Sequence, residues 1–170
     1  MAGQIDYMNT NGMSAPQLDN PDPKKGFADV RNLLVPESRY YRGWAVLLYH
    51  LVKDKAEAQR FLDFYKTNQK ELWGATFGDV ALYGQERDTA QLKVEENTAT
   101  RIAFSLSDQM DDTRFNFPLT VKVRLPADWK GVITTQNGKA VEAKAVAHGG
   151  GRFALVQAVP DQGLVALTPQ

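Results

Sequence analysis

Gly131-Val-Ile-Thr-Thr135-Gln-Asn137-Gly138-Lys-Ala-Val141 decides the reading of the second half of this chain. Asn137-Gly138 lies between Thr134-Thr135 and Val141. Asn-Gly tolerates the positive φ that a two-residue hairpin turn needs at both central positions, so the stretch predicts two antiparallel strands. Working outward, short alternating runs recur at 91–94, 100–106, 119–125, 131–135, 141–147, 153–158 and 164–167. Turn signals separate them: Glu95-Glu-Asn97, Pro126-Ala-Asp128, Gly149-Gly-Gly151 and Pro160-Asp-Gln-Gly163. Short strands at this spacing predict an antiparallel β-sandwich over 89–170.

Residues 41–88 follow another pattern. Trp44-Ala-Val-Leu-Leu-Tyr-His50 is apolar until its last residue, as a strand buried on both faces would be. Asp54 is a suitable N-cap for a helix over 54–68, with Ala58, Phe61, Leu62 and Tyr65 on one stripe. Leu72-Trp-Gly-Ala-Thr-Phe77 is a second strand candidate, and Gly78-Asp79 opens a second helix that ends near Arg87. The order strand, helix, strand, helix predicts a βαβα unit. Residues 1–40 are punctuated by Asn11-Gly12, Ala15-Pro16 and Asn20-Pro-Asp-Pro23 and read as an irregular arm. Phe27, Val30, Leu33 and Leu34 suggest one short helix there, ended by Pro36. The expected fold class is α+β: a short βαβα unit packed on an antiparallel β-sandwich.

Composition limits the function. The 170 residues are 43% apolar, 10% aromatic and 24% charged, which suits a globular protein and excludes disorder throughout. Zero cysteines exclude a disulfide scaffold and a thiolate metal site. Twenty basic and twenty acidic residues cancel, so nucleic acid is not an expected partner. The longest apolar run, Trp44 to Tyr49, is six residues, whereas a membrane-spanning helix needs about 20. The first residues, MAGQIDYMNTNGM, have neither the basic nor the apolar region of a signal peptide.

Several quoted segments resemble one family. Gly43-Trp-Ala-Val-Leu-Leu-Tyr-His50-Leu-Val resembles the last conserved segment of polysaccharide deacetylases, carbohydrate esterase family four, with the NodB-homology fold. Leu72-Trp-Gly-Ala-Thr-Phe-Gly-Asp-Val-Ala-Leu-Tyr83 with Glu86-Arg87 resembles the end of that deformed β/α barrel. Pro118-Leu-Thr-Val-Lys-Val-Arg-Leu-Pro-Ala-Asp-Trp129 and Gln136-Asn-Gly-Lys139 resemble a β-sandwich domain appended to it. The likeness covers roughly residues 40–170 and implies the C-terminal part of such a protein. The family's metal is held by an Asp and two His in H-x-x-x-H. This chain has only His50 and His148, so no residue here is assigned as a ligand to that metal.

The resemblance implies a hydrolase that releases acetyl groups from polysaccharide, with a divalent metal as the family's cofactor. His50, at the end of an apolar strand, is implied as the catalytic acid or orienting group. Asp6 is a second catalytic candidate, if the arm lies across the strand ends. Tyr40, Tyr41 and Trp129 are candidate substrate-binding rings, because Trp129 follows a turn and the tyrosines precede the first strand. Trp44 and Trp73 lie in apolar patterns and are expected in the core. Asp108, Asp111 and Asp112, with Asn116, are hard oxygen ligands suited to Ca²⁺, although a solvated acidic turn is the simpler reading. His148-Gly149-Gly150-Gly151 resembles an esterase oxyanion loop, but no G-x-S-x-G accompanies it and a hairpin turn is favoured.

Three functions follow: the deacetylase-like hydrolase, a non-catalytic carbohydrate-binding or accessory module, and a homodimer joined through exposed strand edges. Carbohydrate is the expected partner. The resemblance implies a location outside the cytoplasm.

Overall fold

The computed structural model describes residues 12–13, 30–47 and 55–170. The chain divides into two compact units, Met1–Val80 and Ala81–Gln170. It is a mixed α/β protein whose second unit carries two antiparallel sheets.

In the first unit, β1 (Gly12–Met13) pairs in parallel with β2 (Val46–Leu47). A 3-10 turn at Val30–Leu33 replaces part of the short helix expected before Pro36. The next segment is held by its own backbone, with Arg42 N–H donating to Leu33 O and Gly43 N–H to Tyr40 O. Helix α1 (Lys55–Asn68) matches the expected helix, while its proposed cap Asp54 lies outside the described residues. Its partly buried positions are Ala58, Phe61, Phe64 and Asn68, at i, i+3, i+6 and i+10. Leu62, expected on the buried stripe, is 53% exposed.

The expected second strand is not formed. Residues 72–76 have no regular structure, and no barrel-like βαβα unit is present among the described residues. Two local features account for this. Thr76 caps α2 (Phe77–Thr89), its hydroxyl accepting the Asp79 N–H at 3.2 Å. Gly74 lies so close to the Tyr65 ring that a Cβ would come within 2.8 Å of it. Trp73, expected in the core, is 53% exposed.

The second unit contains most of α2 and β3 (Gln91–Asn97), β4 (Ile102–Ser107), β5 (Leu119–Arg124), β6 (Val132–Gln136), β7 (Lys139–Ala140), β8 (Ala143–His148), β9 (Gly151–Ala158) and β10 (Val165–Pro169). One sheet has the order β3-β4-β10-β6-β7, the other β5-β9-β8. Every pairing in both is antiparallel. Both sheets feed one core: Ile102, Phe104, Leu106, Val165 and Leu167 from the larger, Leu119, Ala154, Val156 and Ala158 from the smaller. The side-chain period of two places these residues on inner faces, as in a sandwich.

The Asn137-Gly138 turn forms as its residues dictate, with φ 49° and 76° and Gln136 paired with Lys139. Gly149-Gly150 does the same for β8 and β9, with φ 55° and 75° and His148 opposite Gly151. His148-Gly149-Gly150-Gly151 is therefore a hairpin turn. Between the sheets, buried Gln136 acts as an extra peptide group. Its amide donates to Val159 O at 2.6 Å and accepts the Val159 N–H at 3.1 Å.

Candidate functional site

The sequence-designated residues fall in different places. His50 and Asp6 lie outside the described residues. Tyr40 and Tyr41 sit on one turn, each ring faced by a guanidinium: Arg39 at 4.6 Å from the Tyr40 centroid, Arg42 at 5.1 Å from that of Tyr41. Tyr41 is 39% exposed. Trp129 does not present its ring to solvent. It is 2% exposed, packs in the core and donates Nε1–H to Ala99 O at 2.7 Å. The turn at Pro126-Ala-Asp128 delivers the ring inward, where the Ala99 carbonyl satisfies its one polar atom.

The outer face of the three-stranded sheet is the first candidate surface. Leu119, Val121 and Val123 point to the core, so Thr120, Lys122 and Arg124 point out. Lys122 stands opposite Leu155, which stands opposite Lys144 on the far strand. Arg124 stands opposite Phe153, and Lys122 Nζ lies 4.3 Å from the centroid of that ring. Three cations and an aromatic ring thus share one open face. At its end lies a groove of about 530 Å³, lined by Asn97, Arg124, Leu125, Gly150 and Arg152 among others. Arg152 is fixed by donating to Trp129 O and, at 2.9 Å, to Lys130 O. The Arg124 side chain has no hydrogen-bond or ion-pair partner among the described residues. The sequence carries this signal at Thr120, Lys122 and Arg124, at i, i+2 and i+4 between apolar residues.

An acidic cluster is the second. Asp108 follows β4, Asp112 lies in the next loop and Asp161 lies between β9 and β10. One carboxylate oxygen from each lies within 4.8 Å of the others. Asp111, expected to join Asp108 and Asp112, turns away. Its Oδ1 accepts the Thr113 N–H at 3.0 Å and the Thr113 hydroxyl at 2.7 Å, which holds its pKa low. Asp161 takes its place, 53 residues along the chain from Asp108. Asp108 is buried: Oδ1 accepts the Met110 N–H at 2.9 Å, and Oδ2 has no hydrogen-bond partner. Burial pushes its pKa up, against the lowering effect of the Met110 N–H, and the adjoining Asp161 carboxyl, with the charges of Asp161 and Asp112, adds to the rise.

Glu86 of α2 is fully buried beside this cluster's charge. Its Oε2 accepts the Phe117 N–H at 3.0 Å, and its Oε1 has no partner. Burial pushes its pKa up, and the charges of Asp108 and Asp112 add to that, against the lowering effect of Phe117.

No family model matches the chain, and no solved structure does. A gellan lyase from a Bacillus species is 33% identical over 192 aligned residues, which cover 99% of this chain and 8% of that protein. The chain therefore spans a small part of the length of the curated relative it matches. A lyase breaks its bond by elimination and adds no water, so this likeness overturns the expectation of an acetyl-releasing hydrolase. The chain is similar, over nearly all its length, to one segment of a polysaccharide-cleaving protein.

Proposed function

We propose that this chain is a polysaccharide-recognising segment of a large lyase-type protein, and that it grips acidic sugar chains on the outer face of its three-stranded sheet. The observation that carries the reading is the 33% identity to gellan lyase across 99% of the chain. The cationic face supports it. Lys122, Arg124 and Lys144 supply charge for sugar carboxylates, and Phe153 supplies an apolar surface for a pyranose ring. Arg124 at the mouth of the groove is a fork that can take a carboxylate by two hydrogen bonds. Intact polysaccharide is met outside the cytoplasm, and we place the working protein there. The likeness of Pro118 to Trp129 to the sandwich domains appended to deacetylases fits shared module ancestry without shared chemistry.

Affinity electrophoresis tests this reading. The chain is expected to be retarded in a native gel containing gellan and not in one containing a neutral glucan. Equal mobility in both gels would overturn it.

A further inference from the structure

We propose that Asp108, Asp112 and Asp161 bind a Ca²⁺ ion that ties the loop after β4 to the loop between β9 and β10. The proposal is independent of the polysaccharide reading. Its first ground is geometry. Ca²⁺ holds oxygens at about 2.3–2.6 Å, so oxygens on opposite sides of one ion stand about 5 Å apart. The three carboxylate oxygens here lie within 4.8 Å of one another, close enough to share one ion.

The second ground lies in two oxygens whose burial has no compensation. Asp108 Oδ2 and Glu86 Oε1 are both buried without a hydrogen-bond partner. Asp108 is 5% exposed and Glu86 is fully buried. Buried carboxylate oxygens are ordinarily satisfied, and each one left bare is costly. With Oδ1 of Asp108 taken by Met110, Oδ2 is the oxygen left for a ligand. Glu86 is a further acid whose charge interacts with those of Asp108 and Asp112.

The third ground is charge. Among the described residues, no Lys, Arg or His forms an ion pair with any of these four acids. Outside the group, a side-chain partner is Gln162, whose amide donates to Asp112 Oδ2 at 3.4 Å. Four acids without a counter-charge need protons or a cation. The donor set is all oxygen, which selects a hard cation over a transition metal. Two of the ligands are exposed and lie on turns, where water can complete the six to eight oxygens that Ca²⁺ takes, whereas Mg²⁺ requires a near-ideal octahedron.

The test is titration of the chelator-treated chain with CaCl₂, read by calorimetry and by thermal melting. Binding to the folded state alone raises Tm, here by on the order of 5 °C at saturation. Chelator should reverse the rise. Asp112 is exposed and its side chain accepts one hydrogen bond, from Gln162, so Asp112→Asn should leave the fold intact while abolishing the shift. Asp161→Asn should also abolish it. Asp111→Asn should retain it. MgCl₂ at the same concentration should give a smaller shift. The proposal is overturned if the folded wild type shows neither heat nor a Tm change, or if Asp111→Asn loses the response while Asp112→Asn keeps it. An equal response to Mg²⁺ overturns the choice of cation.

Discussion

Asp161 Oδ2 accepts the backbone N–H of Asp108 at 3.0 Å, and the Asp161 N–H donates to Leu106 O at 2.9 Å. The pair closes the β9–β10 loop onto the end of β4. Asp161 holds a left-handed backbone, φ 56°, which Asp and Asn tolerate better than other non-glycine residues. Asp161→Ala leaves the buried Asp108 N–H without its acceptor and is expected to destabilise by about 1–3 kcal/mol. Asp161→Asn keeps an acceptor and is expected to lose less. Urea unfolding under chelation checks both, and an Asp161→Ala midpoint equal to wild type would contradict the linkage.

Glu86 and Asp108 give an unusual pH response. Both have folded pKa values raised above their ordinary 4.5 and 3.8, because burial penalises the charged form. Between the unfolded and the folded pKa of such a group, the native state binds more protons than the unfolded state, so stability falls as pH rises. Under chelation, these two groups destabilise the fold as pH rises above about 4–5, and the penalty is complete above their folded pKa values. Glu86→Gln removes one of them, and its carbonyl can still accept from Phe117. Its Tm is expected to fall less steeply than that of wild type as pH rises above 4.5. An unchanged slope would remove Glu86 from the account.

Trp129 is structural. Trp129→Phe leaves Ala99 O without its donor and is expected to destabilise by about 1–2 kcal/mol. Trp129→Ala opens a core cavity and is expected to destabilise by about 3–5 kcal/mol. Polysaccharide retardation by the folded fraction should not change in Trp129→Phe. A loss of retardation with unchanged stability would return Trp129 to the binding surface.

Gln136 joins the sheets through both polar groups of Val159. Gln136→Ala strands a backbone N–H and a C=O together and is expected to destabilise by about 2–4 kcal/mol. Chemical denaturation measures it. A change below about 0.5 kcal/mol would mean that water replaces the side chain at no loss.

Much of the second unit is legible in the sequence because its turns are explicit. Asn137-Gly138 and Gly149-Gly150 fix two hairpins by φ alone, and alternation then assigns each face. The run Leu72 to Phe77 misleads because its apolar residues lack a strand partner, and the Thr76 cap starts a helix instead. Trp129 misleads because its acceptor, Ala99 O, is 30 residues away. Asp108 and Asp112 are visible as neighbours, but their partner Asp161 is brought in by the return of β10 beside β4, which no local spacing encodes. Nothing local marks Glu86, whose burial comes from the packing of α2.

The central claim is that the outward face of β5, β9 and β8 holds acidic polysaccharide. The most direct measurement is mobility in gellan-containing native gels, comparing wild type with a Lys122→Ala, Arg124→Ala, Lys144→Ala triple variant of unchanged Tm. Each exposed charge should be worth about a two- to five-fold change in affinity, and salt should weaken wild-type binding. The account predicts clear retardation of wild type and near-free migration of the triple variant. Equal retardation of the two proteins, insensitive to salt, would contradict it.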